Sequence, residues 1–259
     1  METASRSLRS RTVALIPLTL VTVAAVVIFT RPDTTDSGGP NASAQLNVQS
    51  GTVASEHGSA STQQSPQTSP KGGVVLPRGA EQDNGLATRF PYTDLGAVAT
   101  QVAVSRAQIG FDHDTAITAV RTYAAPAETA VFEQLARAAV AERRKAAGVP
   151  ANGEAPAPTA YAVTPVAYHL LELNTDYYAV TLLSYITFTT TGGKPKDGLY
   201  AGTQLVTWVG TKSAGDWKLT QGTNDDVRKV LDAERPRPAA PGTDQFKHED
   251  WIQLNAEQP

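Results

Sequence analysis

The chain of 259 residues has no cysteine. Disulfides, thiolate metal sites and a cysteine nucleophile are therefore excluded together. Histidine is nearly as scarce, with His57, His113, His169 and His248 making up the whole set. No extended basic cluster occurs, and the formal net charge of -3 argues against nucleic acid as a partner. The phosphate-cradling glycine loop is missing too: Gly192-Gly193-Lys194 lies between predicted strands, without the required spacing or a following helix. A serine-hydrolase elbow is also lacking, and nothing in the sequence calls for a cofactor or a metal.

What is present begins with a run that starts at Val13 and ends at Phe29, seventeen residues without a charged or amide side chain. Extended through Thr12 and Thr30, it predicts a transmembrane helix of about 28 Å, close to the hydrocarbon thickness of a bilayer. Arg6, Arg9 and Arg11 precede the run and only Arg31 follows closely. That asymmetry predicts residues 1–11 in the cytoplasm and everything from residue 31 on the far side of a cell membrane. The run is longer than the apolar core of a cleaved signal peptide. Its nearest Ala-x-Ala, Ala42-Ser43-Ala44, stands well beyond Phe29, so an uncleaved anchor is expected.

Residues 31–89 are dominated by Ser, Thr, Gln, Gly, Asn and Pro. Such a segment buries too little apolar surface to offset ordering and reads as a disordered tether. Its length of about 60 residues gives a span of roughly 45 Å. Val74-Val75-Leu76 is the one apolar cluster in its second half; it is assigned to the spacer, with a short docking strand as the alternative.

Helical periodicity starts near Phe90. Asp94 is placed as the cap of a helix carrying Val98, Val102, Ser105 and Ile109, ended by Gly110. Asp114 is placed as the cap of a second, with Ile117, Val120 and Ala124 on one face. Pro126 starts a third, with Val131, Leu135, Ala138 and Ala139 inward, stopped by Gly148 and Pro150. Arg143, Arg144 and Lys145, near the negative end of the third helix dipole, read as solvated surface. Beyond a Pro/Ala-rich loop the period changes to two. Four strands are predicted: around Val166 to Leu173, Tyr177 to Thr190, Tyr200 to Val209, and Trp217 to Thr220. Helices first and a meander second make residues 90–233 an α+β domain, three helices packed on a curved antiparallel sheet of about four strands. Residues 234–259 form a Pro-rich tail whose Phe246, Trp251, Ile252 and Leu254 either dock on the domain or offer an exposed partner-binding segment.

The helix-helix-helix then meander order resembles the cone-shaped nuclear-transport-factor-2-like, or SnoaL-like, fold. The segment Phe90-Pro91-Tyr92-Thr93-Asp94-Leu95-Gly96-Ala97-Val98-Ala99 and the hairpin end Gly215-Asp216-Trp217-Lys218-Leu219 are similar to actinobacterial membrane-anchored proteins associated with conjugative elements. The resemblance covers roughly residues 90 to 233 and the anchor. It implies a non-catalytic scaffold or assembly subunit in a conjugation or type IV secretion apparatus, binding other envelope proteins or further copies of itself.

The same fold also hosts isomerases and dehydratases whose cone encloses an apolar pocket with an acid/base residue. His169 is the candidate for that role, since it shares a strand face with Ala167, Leu171 and Leu173. No spacing supplies its partner carboxylate. Asp112-His113-Asp114 reads as a capping turn and not as a metal site, because adjacent residues do not easily face one ion. Two readings follow. A scaffold predicts a filled cone, whereas a small-ligand domain predicts a cavity of a few hundred cubic ångströms around His169.

Overall fold

The computed structural model describes residues 72–233 and 235–255. The apolar run at residues 13–29, and the expected tether up to residue 71, lie outside the described residues. Within them, no helix is long and apolar enough to cross a membrane. They form an α+β arrangement of five helices, one 3-10 turn, a five-stranded antiparallel sheet and a small hairpin.

Residues 72–89, expected to be tether, belong to the folded unit. Strands β1 (Glu81–Asp83) and β2 (Leu86–Thr88) pair as the hairpin, and Tyr123 holds it by donating its hydroxyl to the Ala87 carbonyl (2.9 Å). Burial, with the charge of Asp216 nearby, pushes that phenol up to about 12. Val74 docks as well, in a parallel bridge to Leu254. Gly73 makes this approach possible: its φ is +84°, and a Cβ there would lie 2.6 Å from the Leu254 carbonyl carbon.

Helix α1 (Asp94–Ala107) is capped by Thr93, whose hydroxyl accepts from Gly96 N–H (3.0 Å), not by Asp94 as the sequence suggested. Asp94 sits inside the first turn, where the dipole favours its charge. Ile109, expected inward, falls after the helix and is 47% exposed. Helix α2 (His113–Tyr123) starts at Asp112 instead of Asp114. The Asp112 carboxylate accepts from Thr115 N–H (2.6 Å), and that bond lowers its pKa. Helix α3 (Thr129–Ala147) follows a 3-10 turn at Pro126–Glu128 and ends at Gly148 in the left-handed conformation, as its sequence predicts.

The buried face of α3 is rotated by one residue from expectation. Phe132, Ala136, Ala139, Val140 and Ala147 are inside, while Val131 and Ala138 are exposed and Leu135 is half-buried. Burying the Phe132 ring outweighs burying Val131, because an aromatic side chain removes more apolar area from water. The same rotation takes Arg143 and Arg144 inside, at 5% and 2% exposure, which corrects their assignment to solvated surface.

Strands β3 (Ala160–Asn174), β4 (Tyr177–Thr189), β5 (Pro195–Val209), β6 (Asp216–Thr220) and β7 (Ile252–Gln253) make the sheet, ordered β6-β5-β4-β3-β7. The fifth strand, β7, comes from the tail and pairs with Ala167 and Tyr168 of β3. One face of the sheet packs Tyr168, Val180, Leu182, Val206 and Leu219 against Val98, Val102 and Val120 of α1 and α2. Much of the reverse face is covered as well. Helix α4 (Asn224–Asp232) lays Val230 over Ala179 and Leu205, and α5 (Asp244–His248) with the following turn lays Phe246 and Trp251 over Ala167 and Leu183. Of the four tail side chains offered for partner binding, Phe246, Trp251 and Leu254 are buried and Ile252 is half-buried in β7. Docking therefore describes the tail.

The two segments that carry the family resemblance meet in space. Phe90 N–H donates to the Asp216 carboxylate (3.2 Å), and Trp217 Nε1 donates to the Pro91 carbonyl (2.9 Å). The Trp217 ring lies parallel to Tyr92 at 5.9 Å and edge-on to Trp208 at 5.3 Å. Gly96 is obligatory at this joint, since a Cβ there would lie 1.9 Å from the Pro91 oxygen. These motifs lock α1 to the end of the sheet.

Candidate functional site

Between α1 and the helix-facing side of the sheet lies the interior where a cone-type domain would hold a ligand. Val104 and Gln108 of α1 face Tyr161, Leu182, Ser184 and Ile186 across a cavity of about 80 Å³. That is roughly the volume of two or three waters in the liquid. Its polar members are amides and hydroxyls: Gln101, Gln108 and Ser184 are all buried, and Gln101 Oε1 has no hydrogen-bond partner among the described residues. Such a lining solvates a small polar group and supplies no general acid or base. Gln101 and Gln108 stand seven residues apart on the face that carries Val104, a spacing visible in the sequence.

His169 lines the other side of the sheet. It stands opposite Thr181 in β4, on the face that α4 and the tail cover. Burial lowers its pKa below the ordinary imidazole value, and the charge of Asp250 opposes that effect in part. A folded-state pKa below the unfolded one means that the unfolded chain binds the proton more readily. The contribution is fully present above pH about 6.5 and is lost as pH falls below it. The strand parity read from sequence was therefore correct, but the shared face is the outer one.

Of the remaining histidine and carboxylate candidates, His113 and Asp114 stand in the first turn of α2. Asp112 caps α2, and His248 Nδ1 lies 2.7 Å from the Asp244 carbonyl oxygen within α5. His57 lies outside the described residues. Among the described residues no three His, Asp or Glu side chains gather where an ion could sit.

The polar groups that sequence reasoning missed are the two buried arginines. Arg143 donates to the Gln108 carbonyl (2.9 Å) and to that of Gly110, and its guanidinium lies 4.0 Å over the Tyr161 ring. Desolvation lowers its pKa. Arg144 donates to the carbonyls of Phe111 (2.6 Å), Pro150 (2.6 Å) and Gly153 (2.7 Å). Together they take up carbonyls from the loop between α1 and α2 and from the loop that follows α3. Their role is architectural.

Compared with protein-family models, curated proteins and solved structures, the chain gives no match. Fold and site define it at the level of class: an α+β domain whose five-stranded antiparallel sheet carries helices on both faces, with a small interior between α1 and the sheet.

Gly202 tests the interior directly. It pairs with Leu182 on the helix-facing side, and a Cβ there meets nothing within 4 Å. Gly202→Ala is expected to stabilise the fold by about 0.4–1 kcal/mol, by restricting the unfolded chain at a position whose native backbone suits alanine. The melting temperature of the full chain in detergent, followed by circular dichroism, should rise by about 1–3 °C. A fall would show that the cavity wall does not accept a methyl group.

Proposed function

We propose that the chain is a single-pass membrane protein whose external domain serves as a non-catalytic scaffold or assembly subunit, binding other envelope proteins in a conjugation or type IV secretion apparatus. The observation that carries this reading is the interior of about 80 Å³, too small for an apolar substrate and with no carboxylate or imidazole in its lining. The position of His169 on the outer face supports it further, because an isomerase-like site would need that imidazole inside. The apolar run at residues 13–29 supplies the anchor, and the resemblance of the Phe90 and Gly215 segments supplies the setting. In this reading the helices and sheet form a filled cone held on the outer side of one membrane.

The test combines extraction with crosslinking in the native host. The chain should resist alkaline extraction, come off in detergent, and enter discrete crosslinked species larger than the monomer. His169→Ala should leave those species unchanged. A mature chain beginning at Gln45 in the soluble fraction, or a monomer without crosslinked partners, would overturn the proposal.

A further inference from the structure

A ligand-sized space lies at the outer side of the sheet. Strand β6 pairs with β5 over residues 205–209 alone. Beyond that point β5 is flanked by α4 and by residues 235–238, with a groove of about 550 Å³ between them. That volume lies in the range of sites for small molecules.

The groove has two chemically distinct parts. Its floor and wall are apolar: Ala201 and Leu205 of β5 face Val227, Val230 and Leu231 of α4. The α4 residues stand at i, i+3 and i+4, a single apolar stripe. Val230 is buried against the sheet, whereas Val227 and Leu231 are half-exposed, so the stripe is only partly covered. The hydroxyls of Thr181 and Thr203 also line the groove and bond to each other at 2.8 Å. They place little polar demand on an occupant.

The other part is cationic. Arg235 and Arg237 line the same groove, both exposed, and neither makes an ion pair among the described residues. Their backbone is fixed. Pro236 and Pro238 restrict the chain, Arg237 N–H donates to the Glu249 carboxylate (2.6 Å), and its carbonyl accepts from Trp251 Nε1 (2.9 Å). Two guanidinium groups are thus presented beside an apolar slot, the complement of an anionic head on an aliphatic chain.

We propose that this groove binds a single-chain aliphatic carboxylate, with the chain between β5 and α4 and the head at Arg235 and Arg237. The volume suits one chain and not a whole two-chain phospholipid. The groove adjoins the interior across Ala201, Gly202 and Gln204 of β5, and the proposal does not depend on the assembly role.

The test uses the full chain in phosphatidylcholine nanodiscs and dodecanoate carrying a mid-chain diazirine. After irradiation, peptide mass spectrometry should place adducts on α4 and on residues 201–205, and excess dodecanoate should suppress them. The double variant Arg235→Gln, Arg237→Gln is expected to lower that labelling about fivefold, the effect of losing exposed ion pairs. Ala233→Trp, which fills the groove from its half-exposed rim, should lower it too without shifting the melting temperature. Adducts confined to residues 13–29, equal labelling by the neutral methyl ester, or equal labelling by a diazirine phosphatidylglycerol would each overturn the proposal.

Discussion

Trp217→Ala is expected to cost about 3–5 kcal/mol of folding stability, the range for truncating a large aromatic in a packed core. The side chain is 1% exposed and is the hub of an aromatic group. Tyr92 stacks on it, Trp208 meets it edge-on, and Tyr178 tilts against it at 5.4 Å. Removing the indole leaves a cavity that these rings cannot all collapse into, and it takes from the Pro91 carbonyl one of its two donors, the other being Thr93 N–H (2.8 Å). Trp217→Phe separates the two losses, since it keeps most of the packing and removes only the N–H. Its cost should be about 0.5–1.5 kcal/mol, that of one hydrogen bond to an acceptor that keeps another donor. Urea titration of the full chain in detergent, followed by circular dichroism, measures both. If Trp217→Ala costs less than Trp217→Phe, the aromatic group does not hold α1 to the sheet.

Arg144→Met is expected to cost about 2–4 kcal/mol, because carbonyls that share one guanidinium lose their donor while the methionine stem preserves packing. The three acceptors belong to Phe111, Pro150 and Gly153, so the α1–α2 loop and the loop after α3 should loosen together. Arg144→Lys should recover little of that loss. A lysine ammonium presents its donors from one point and cannot reproduce a planar fork that serves diverging acceptors. Hydrogen exchange on the full chain would check the mechanism. Faster exchange confined to α4 or the tail would contradict it.

Much of the architecture was legible because it rests on local pattern. The three N-terminal helices and strands β3 to β6 follow from changes of hydrophobic period and from stop signals such as Gly148 and Asn174-Thr175-Asp176. Less legible was what depends on a distant partner. Strand β7 is two residues long and exists only because β3 and Val74 flank it. The hairpin at residues 81–88 carries few apolar residues of its own and is held by Tyr123 from a helix far along the chain.

The inward face of α3 was misread because Val131 and Phe132 compete for it at adjacent positions, and local spacing does not weigh them. For the interior, parity divides each strand into two sets without saying which set faces the helices. In β3 and β4 both sets contain apolar residues, since both faces are covered, so His169 could not be assigned from alternation alone. The buried arginines gave no signal, because a guanidinium bound to backbone carbonyls has no partner residue type to recognise.

The bridge between Val74 and Leu254 bears on mechanics. Val74 N–H donates to Gln253 O (2.8 Å) and Asn255 N–H to Val74 O (2.9 Å), and the two segments run in the same direction. Opposed pulls on residues 72 and 255 would therefore stretch both bonds at once, in shear, and would not peel them apart in turn. Tension along the chain would cross at this clamp and bypass the sheet, so the domain would add almost no length under force until the clamp slipped.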